Sequence, residues 1–309
     1  MKKKTYTLGL VAGDVIPSID NAKTSAQMLI MGLYNEFDRL DHVNPQLINV
    51  TNDSIDIFLQ ELQPLDFLLI RRYTQSAIIK NVLSIKKQIK YKTCSFIEHH
   101  QDNFDYCFGF LNQKGTDLKI TLPYVKKYMS NIEKTHKTIL LDDYGNTDAD
   151  MSDKIIKWIK PLLSDGYVIY QMCKKESDVQ NGIIPLLQCD YKNYMNATSK
   201  IETFIQTHPG SYEHSVIDMV GRGIRTFIPD NEEKLGRGFY IPVEMVEELK
   251  LPTFKNQKEL LSLIKKPVDL EFWNSRIHEM TEMKLIVNTI DDYFQRNIID
   301  TIQKGKGNE

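Results

Sequence analysis

The chain has 309 residues, of which 41% are apolar and 26% charged, with a formal net charge of −2. That length suits two ordinary domains, each with its own core, and the composition excludes disordered and fibrous classes. The near-zero charge argues against general nucleic-acid binding while allowing a local basic patch, and no apolar run reaches the ~18 residues of a membrane span.

Lys2, Lys3 and Lys4 precede an apolar run as in the charged start of a signal peptide. The run is short, however, and meets Asp14 without a small-residue cleavage pattern, so residues 5–13 read as a first β-strand. A helix follows over 22–40, then a strand over 46–50, a helix over 54–62, a strand over 66–72 and a helix over 75–90. Strands over 93–99 and 118–123 and a helix over 125–134 complete the first half. The pattern restarts with a strand over 137–143 and a helix over 151–166 that Pro161 should end or kink. Strands over 167–172 and 183–188, a helix over 191–200, a strand over 202–208, a helix over 214–223 and a strand over 225–229 come next. FKNQKELLSLI reads as a helix, and residues 271–303 form a long amphipathic one. Its Phe272, Ile277, Met280, Met283, Ile286, Ile290, Tyr293 and Ile298 recur at roughly three- and four-residue steps.

This alternation predicts an α/β fold with parallel sheets covered by helices. Two Rossmann-like domains are expected, over 1–134 and 135–270, with 271–309 a helix returning to the first. Cys94, Cys107, Cys173 and Cys189 are widely spaced without a CxxC pair. Reduced thiols in a cytoplasmic protein fit this better than a disulfide frame or a zinc site.

The stretch THPGSYEHSVIDMVGRGIRTFIPD, residues 207–230, has the form of a strand end, a turn, a short helix and another strand. Pro209 and Gly210 turn the chain at a sheet's carboxyl edge, where α/β folds bind ligands. Ser211, Tyr212, Glu213, His214 and Ser215 then enter a helix whose first N–H groups lack internal partners. Those donors and the helix dipole suit a phosphate or diphosphate. Asp218, about one turn in, is expected to face the mouth and accept hydrogen bonds from a ribose diol, and Gly223 to end the helix. An ordinary βαβ turn with a capping serine has the same spacing.

These residues resemble the donor-binding segment of GT-B fold glycosyltransferases, notably retaining enzymes of the glycogen synthase-like, family 4 type. Asp218-Met219-Val220-Gly221-Arg222-Gly223 is similar to that family's acidic helix Glu-Ala-Met-Ala-x-Gly, with aspartate for glutamate. GRGFYIPVEMVEEL and the helix after it resemble the family's next passage. The resemblance implies two lobes facing across a cleft, with a nucleotide-sugar donor held by the second and an acceptor by the first. It implies no metal and no other cofactor. Two departures stand out. The family's second glutamate falls on Gly210, which leaves Glu213 as its substitute. Where an arginine follows the second domain's first strand, this chain has Asp142 and Asp143, so Lys174 and Lys175 are the nearest cations.

In the first half, Gly13 and Asp14 form the loop after the first strand, similar to the family's cleft-facing glycine loop, without G-x-G-x-x-G. Glu98, His99, His100 and Asp102 crowd another strand end. His100, or His99, could deprotonate an acceptor hydroxyl with Asp102 orienting it, or the group could bind a metal, or one ring could simply pack. His208 is a further candidate at the donor phosphate, and Arg71 and Arg72 at an anionic acceptor. The acceptor (glycan, lipid, protein or modified nucleic acid) stays open, and a homo-oligomer is compatible with the composition. A non-catalytic two-domain nucleotide- or sugar-binding protein and a sugar-nucleotide epimerase are the other readings.

Overall fold

Phe67–Ile70 and Thr138–Asp142 are buried at every position, as expected of parallel strands covered on both faces. The computed structural model describes residues 3–13, 18–23, 25–49, 65–70, 91–96, 104–109, 117–120, 133–142, 149–176, 179–180, 182–207, 214–230, 250–266, 271, 275 and 282–299. The expected helices over 54–62 and 75–90 lie outside these residues, as does most of that over 125–134. The chain divides into two units, Met1–Pro123 with Thr281–Glu309, and Tyr124–Met280. The first division thus comes ahead of the expected 134/135 boundary.

In the first unit, β1 (Tyr6–Gly13), α1 (Ser25–Phe37), β2 (Val43–Asn49), β3 (Phe67–Ile70), β4 (Lys92–Phe96), β5 (Tyr106–Gly109) and β6 (Leu118–Lys119) follow in order. They build a six-stranded sheet ordered β2-β1-β3-β4-β5-β6, parallel throughout. β5 was not expected. Gly9 on β1 lets side chains close over the strand: a Cβ there would stand 2.5 Å from Ile48 Cδ1 and 2.8 Å from Leu65 Cδ1.

The second unit contains β7 (Thr138–Asp142), α2 (Ala149–Ile159), β8 (Val168–Cys173), β9 (Ile184–Leu187), α3 (Tyr191–Ala197), β10 (Thr203–Gln206), α4 (His214–Gly221), β11 (Arg225–Pro229), β12 (Thr253–Phe254) and α5 (Gln257–Lys265). Its six-stranded sheet is ordered β12-β11-β10-β7-β8-β9 and is again parallel. Pro161 acts as expected: α2 stops at Ile159 and a 3-10 turn carries on over Lys160–Leu163. One face of the sheet, with Ile139, Leu141, Ile205 and Phe227, shares a core with Ile155, Ile156 and Ile159 of α2 and Leu260 and Ile264 of α5. Strand alternation sends Leu140, Asp142, Phe204 and Gln206 to the other face.

The amino edges of both sheets are pinned by acids that precede strands. Asp66 Oδ2 accepts from the Thr7 amide (2.9 Å), Asp105 Oδ2 from Thr93 (2.8 Å), Asp117 Oδ2 from Cys107 (2.7 Å), and Glu202 Oε2 from Lys137 (2.7 Å). Each satisfies an amide that its own ladder would leave open. The carboxyl edges carry no such set among the described residues, and these are the edges that α/β folds use for ligands.

The last helix, α6 (Met283–Asn297), belongs to the first unit. It buries Met283, Ile286, Val287, Ile290 and Phe294. Phe294 stacks on Phe67 with ring centroids 3.9 Å apart. Tyr293, expected on the inner stripe, lies at its margin and meets Phe108 edge-on. Asp291 lies within this apolar face with its side chain 0% exposed. Lys3 Nζ donates to its Oδ2 (2.6 Å), Tyr6 Oη to its Oδ1 (3.0 Å), and His42 Nε2 lies 3.0 Å from both oxygens. Burial alone would push this carboxyl up, but Lys3 and His42 outweigh it and hold it below its ordinary value.

Candidate functional site

At the carboxyl edge of the second sheet, β7 ends at Asp142 and β10 at Gln206, paired in register. The Thr207 hydroxyl donates to the Asp142 backbone carbonyl. The chain then enters α4 at His214, and Ser215 Oγ donates to Asp142 Oδ2 (2.6 Å). The first turn of α4 therefore lies over the ends of β7 and β10. As an isolated helix end it presents amides without helical partners and the positive end of the dipole.

The sequence fixes this helix well. Val216, Ile217, Met219 and Val220 are all fully buried. Gly223, at φ +68, closes it: the Ile224 amide donates to Met219 O and the Gly223 amide to Val220 O, both at 2.9 Å. This is a Schellman ending, and a side chain at Gly223 would be strained there.

Gln206 is 0% exposed, and among the described residues neither its Oε1 nor its Nε2 has a hydrogen-bond partner. Leaving a buried polar group unmatched costs roughly 1–3 kcal/mol. It shares a sheet face with Asp142, whose carboxylate receives Ser215, so the amide lies under the front of α4.

Asp218 does not face an open mouth. It is 1% exposed and accepts from Tyr191 Oη of α3 at 2.9 Å. Burial pushes its carboxyl up to about 7, and the Tyr191 hydrogen bond and the Arg222 charge only partly offset this. Burial also lowers Arg222, whose guanidinium donates to Thr198 Oγ1 (2.6 Å) and to the Met195 carbonyl (2.7 Å). The physical reason is helical spacing. Ser215, Asp218 and Arg222 are the polar positions among apolar ones, and they fall at three- and four-residue steps along one side of α4. Ser215 reaches the sheet edge; the other two face α3. Nearby, Lys134 donates to the Ser199 carbonyl (2.9 Å) and is lowered to about 8 by burial and then by Arg222.

Lys174 and Lys175 follow β8 and are exposed. Gly13 ends β1. His99, His100, Asp102, Asp14, His208, Gly210, Ser211, Tyr212 and Glu213 lie outside the described residues, as do Arg71 and Arg72; of His214 only the helical backbone is described. Sequence reasoning missed Gln206, Tyr191 and the use of Asp142 as partner to Ser215. The signal for Gln206 was a polar residue closing a strand whose preceding Phe204 and Ile205 are apolar. Among the described residues, no group of three or more His, Cys, Asp or Glu could hold a metal ion, and no helix is long and apolar enough to cross a membrane.

No protein-family model and no curated protein matches the chain. Solved structures do. An O-GlcNAc transferase mutant from Thermobaculum terrenum is 11% identical with a TM-score of 0.62, over 98% of this chain and 69% of that one. An alpha-glucosyltransferase in complex with UDP and a 13-mer DNA is 9% identical with a TM-score of 0.60, over 93% and 99%. A putative UDP-N-acetylglucosamine 2-epimerase from Listeria monocytogenes is 10% identical with a TM-score of 0.59, over 96% and 97%. With two six-stranded parallel sheets and a last helix that returns to the first of them, the chain has the GT-B fold.

Proposed function

We propose that the chain is a glycosyltransferase that moves a sugar from a nucleotide-sugar donor to an acceptor. The donor's diphosphate would be bound at the carboxyl edge of the second unit. The observation that carries this reading is the placement of α4's front turn over β7 and β10, fixed by Ser215 on Asp142, in a fold shared with an alpha-glucosyltransferase in complex with UDP-glucose.

In the reaction an acceptor oxygen bonds to the anomeric carbon while the bond from that carbon to the phosphate oxygen breaks and the nucleoside diphosphate leaves. The first amides of α4, the segment from His208 to His214, and Lys174 would offset the charge that grows on the leaving group, with no resident metal required. Gly13 and Asp14 would serve the acceptor. His100, or His99, with Asp102 beside it, would take the acceptor proton where the anomeric centre inverts.

A second reading, a non-catalytic nucleotide- or sugar-binding protein, draws on Asp142: a carboxylate stands at the helix front where the resembling enzymes have an arginine. Thermal unfolding with UDP, GDP, ADP and CMP, followed by assay of the matching sugar conjugates with and without EDTA, separates the readings. Stabilisation by one nucleotide, with its conjugate split or its sugar transferred, supports the transferase. Stabilisation by free sugars alone supports the binding protein. Conversion of the conjugate to its epimer would replace the transferase with the epimerase.

A further inference from the structure

We infer that Gln206 is the group that reads hydroxyls of the donor. This rests on the donor site proposed above and names a residue that the glycosyltransferase resemblance does not assign. Three observations carry it. Gln206 is fully buried at the last position of β10. Both ends of its amide are unmatched among the described residues. Its register partner Asp142 receives Ser215 from the first turn of α4.

Buried side-chain amides almost always find partners within the protein. One kept with both ends open, under a helix front at the ligand-bearing edge, has its partners in something the chain binds. A primary amide donates through Nε2 and accepts through Oε1, so its complement carries a donor and an acceptor side by side. Adjacent hydroxyls do so; a diphosphate, which only accepts, does not. Two hydroxyl-bearing groups of the donor present that chemistry, the ribose of the nucleotide and the transferred sugar; a base edge, with an N–H beside a carbonyl or ring nitrogen, presents it too and is told apart by the test.

The test compares Gln206→Met, an apolar near-isostere, with Ser215→Ala and the unmodified protein. Affinities are measured for UDP, GDP and ADP and for their glucose conjugates, alongside the melting temperature of each protein without ligand. The expected result is a melting temperature for Gln206→Met that is unchanged or raised, because no internal hydrogen bond is lost. Its dissociation constant should rise about tenfold. A loss of similar size for every free nucleotide that binds assigns the amide to the ribose, and a loss confined to the conjugate assigns it to the sugar; a loss for one base alone would mean that the amide reads the base edge, which overturns the inference. If Ser215→Ala weakens binding and Gln206→Met leaves every affinity within twofold, this inference falls and the donor site stands. If the unmodified protein binds none of the six, nor CMP, both fall. A lower melting temperature or failure to fold would mean that the amide serves the fold through a buried water, which overturns the inference. The side-chain amide resonances of Gln206 in the unmodified protein give a check free of that variant: they should shift with the bound conjugate, and fixed resonances would also overturn it.

Discussion

Asp291 on α6 and Asp218 on α4 are each no more than 1% exposed, and each accepts a hydrogen bond from a tyrosine hydroxyl. Desolvation acts on both in the same direction, yet Asp291 ends below its ordinary value and Asp218 rises to about 7. The difference lies in the other partners. Asp291 touches an ammonium and an imidazole directly. The guanidinium nearest Asp218 spends its hydrogen bonds on Thr198 and Met195 and reaches the carboxylate only through space. Direct charged donors reverse what burial does to an acid, and a neutral hydroxyl does not.

The largest expected effect comes from removing the better-partnered acid. Asp291→Ala strips the acceptor from Tyr6, His42 and Lys3 at once; the buried Tyr6 hydroxyl loses this acceptor, at about 1–3 kcal/mol, and the space left by the carboxylate adds to that loss. Urea unfolding of the variant should show this loss, and Asp291→Asn, which still accepts from Tyr6, should lose less. The sign with pH follows from a lowered folded pKa: the stabilisation is present above the unfolded carboxyl's pKa and is lost as pH falls through the folded one. The unmodified protein should therefore weaken below about pH 4, and Asp291→Asn should lack that component. A cost under ~1 kcal/mol for Asp291→Ala would remove the distinction between the two acids.

Asp218→Asn should act in the opposite sense. Its folded pKa of about 7 lies above the unfolded 3.8, so the folded chain holds the proton more tightly. The contribution is fully present below about pH 4 and is lost as pH rises to 7, with an upper bound on the order of 4 kcal/mol. Melting temperatures at pH 4, 5.5, 7 and 8 should fall along this window in the unmodified protein, net of other groups, and flatten in Asp218→Asn. At pH 8 the variant should be the more stable of the two. An unchanged slope would show that Asp218 is ionised throughout. Asp218→Ala is a poorer probe of donor binding than the sequence suggested, because it leaves Tyr191 Oη without this acceptor inside the unit.

The contrast between these acids also separates what was legible in the sequence from what was not. Strands show themselves locally: β11 was expected over 225–229 and occupies Arg225–Pro229, and the apolar spacing of α4 and its glycine stop gave that helix. β5 and β12 were missed because four and two residues carry too little periodicity, and Asp105 and Gly109 frame β5 like a turn. The stripe of α6 was legible, but Asp291 reads as a solvent position in such a pattern. What internalises it are Lys3, Tyr6 and His42, far away in the chain. Asp218 failed in the same way. A motif placed it on the correct helix, and Tyr191, contributed by another helix, turned it from ligand to fold. Periodicity is local, and the identity of a buried polar group's partner is not.

The smallest expected effect is that of Lys3→Met, and it sharpens the comparison most directly. Lys3 has a side chain 42% exposed, so its pair with Asp291 is screened and should contribute less than ~1 kcal/mol at neutral pH. Its pKa is raised, with the Asp291 hydrogen bond the leading cause. That contribution is present below the unfolded lysine's pKa and is lost as pH rises through the folded value. The variant should thus lack the alkaline loss and lose sensitivity to salt. The more telling change is on the acid side. Without the ammonium, Asp291 keeps Tyr6 and His42 against an undiminished burial penalty, so its folded pKa must rise and the acid weakening must begin at higher pH. An acid limb that does not move would mean that His42 alone supplies the charge that Asp218 lacks.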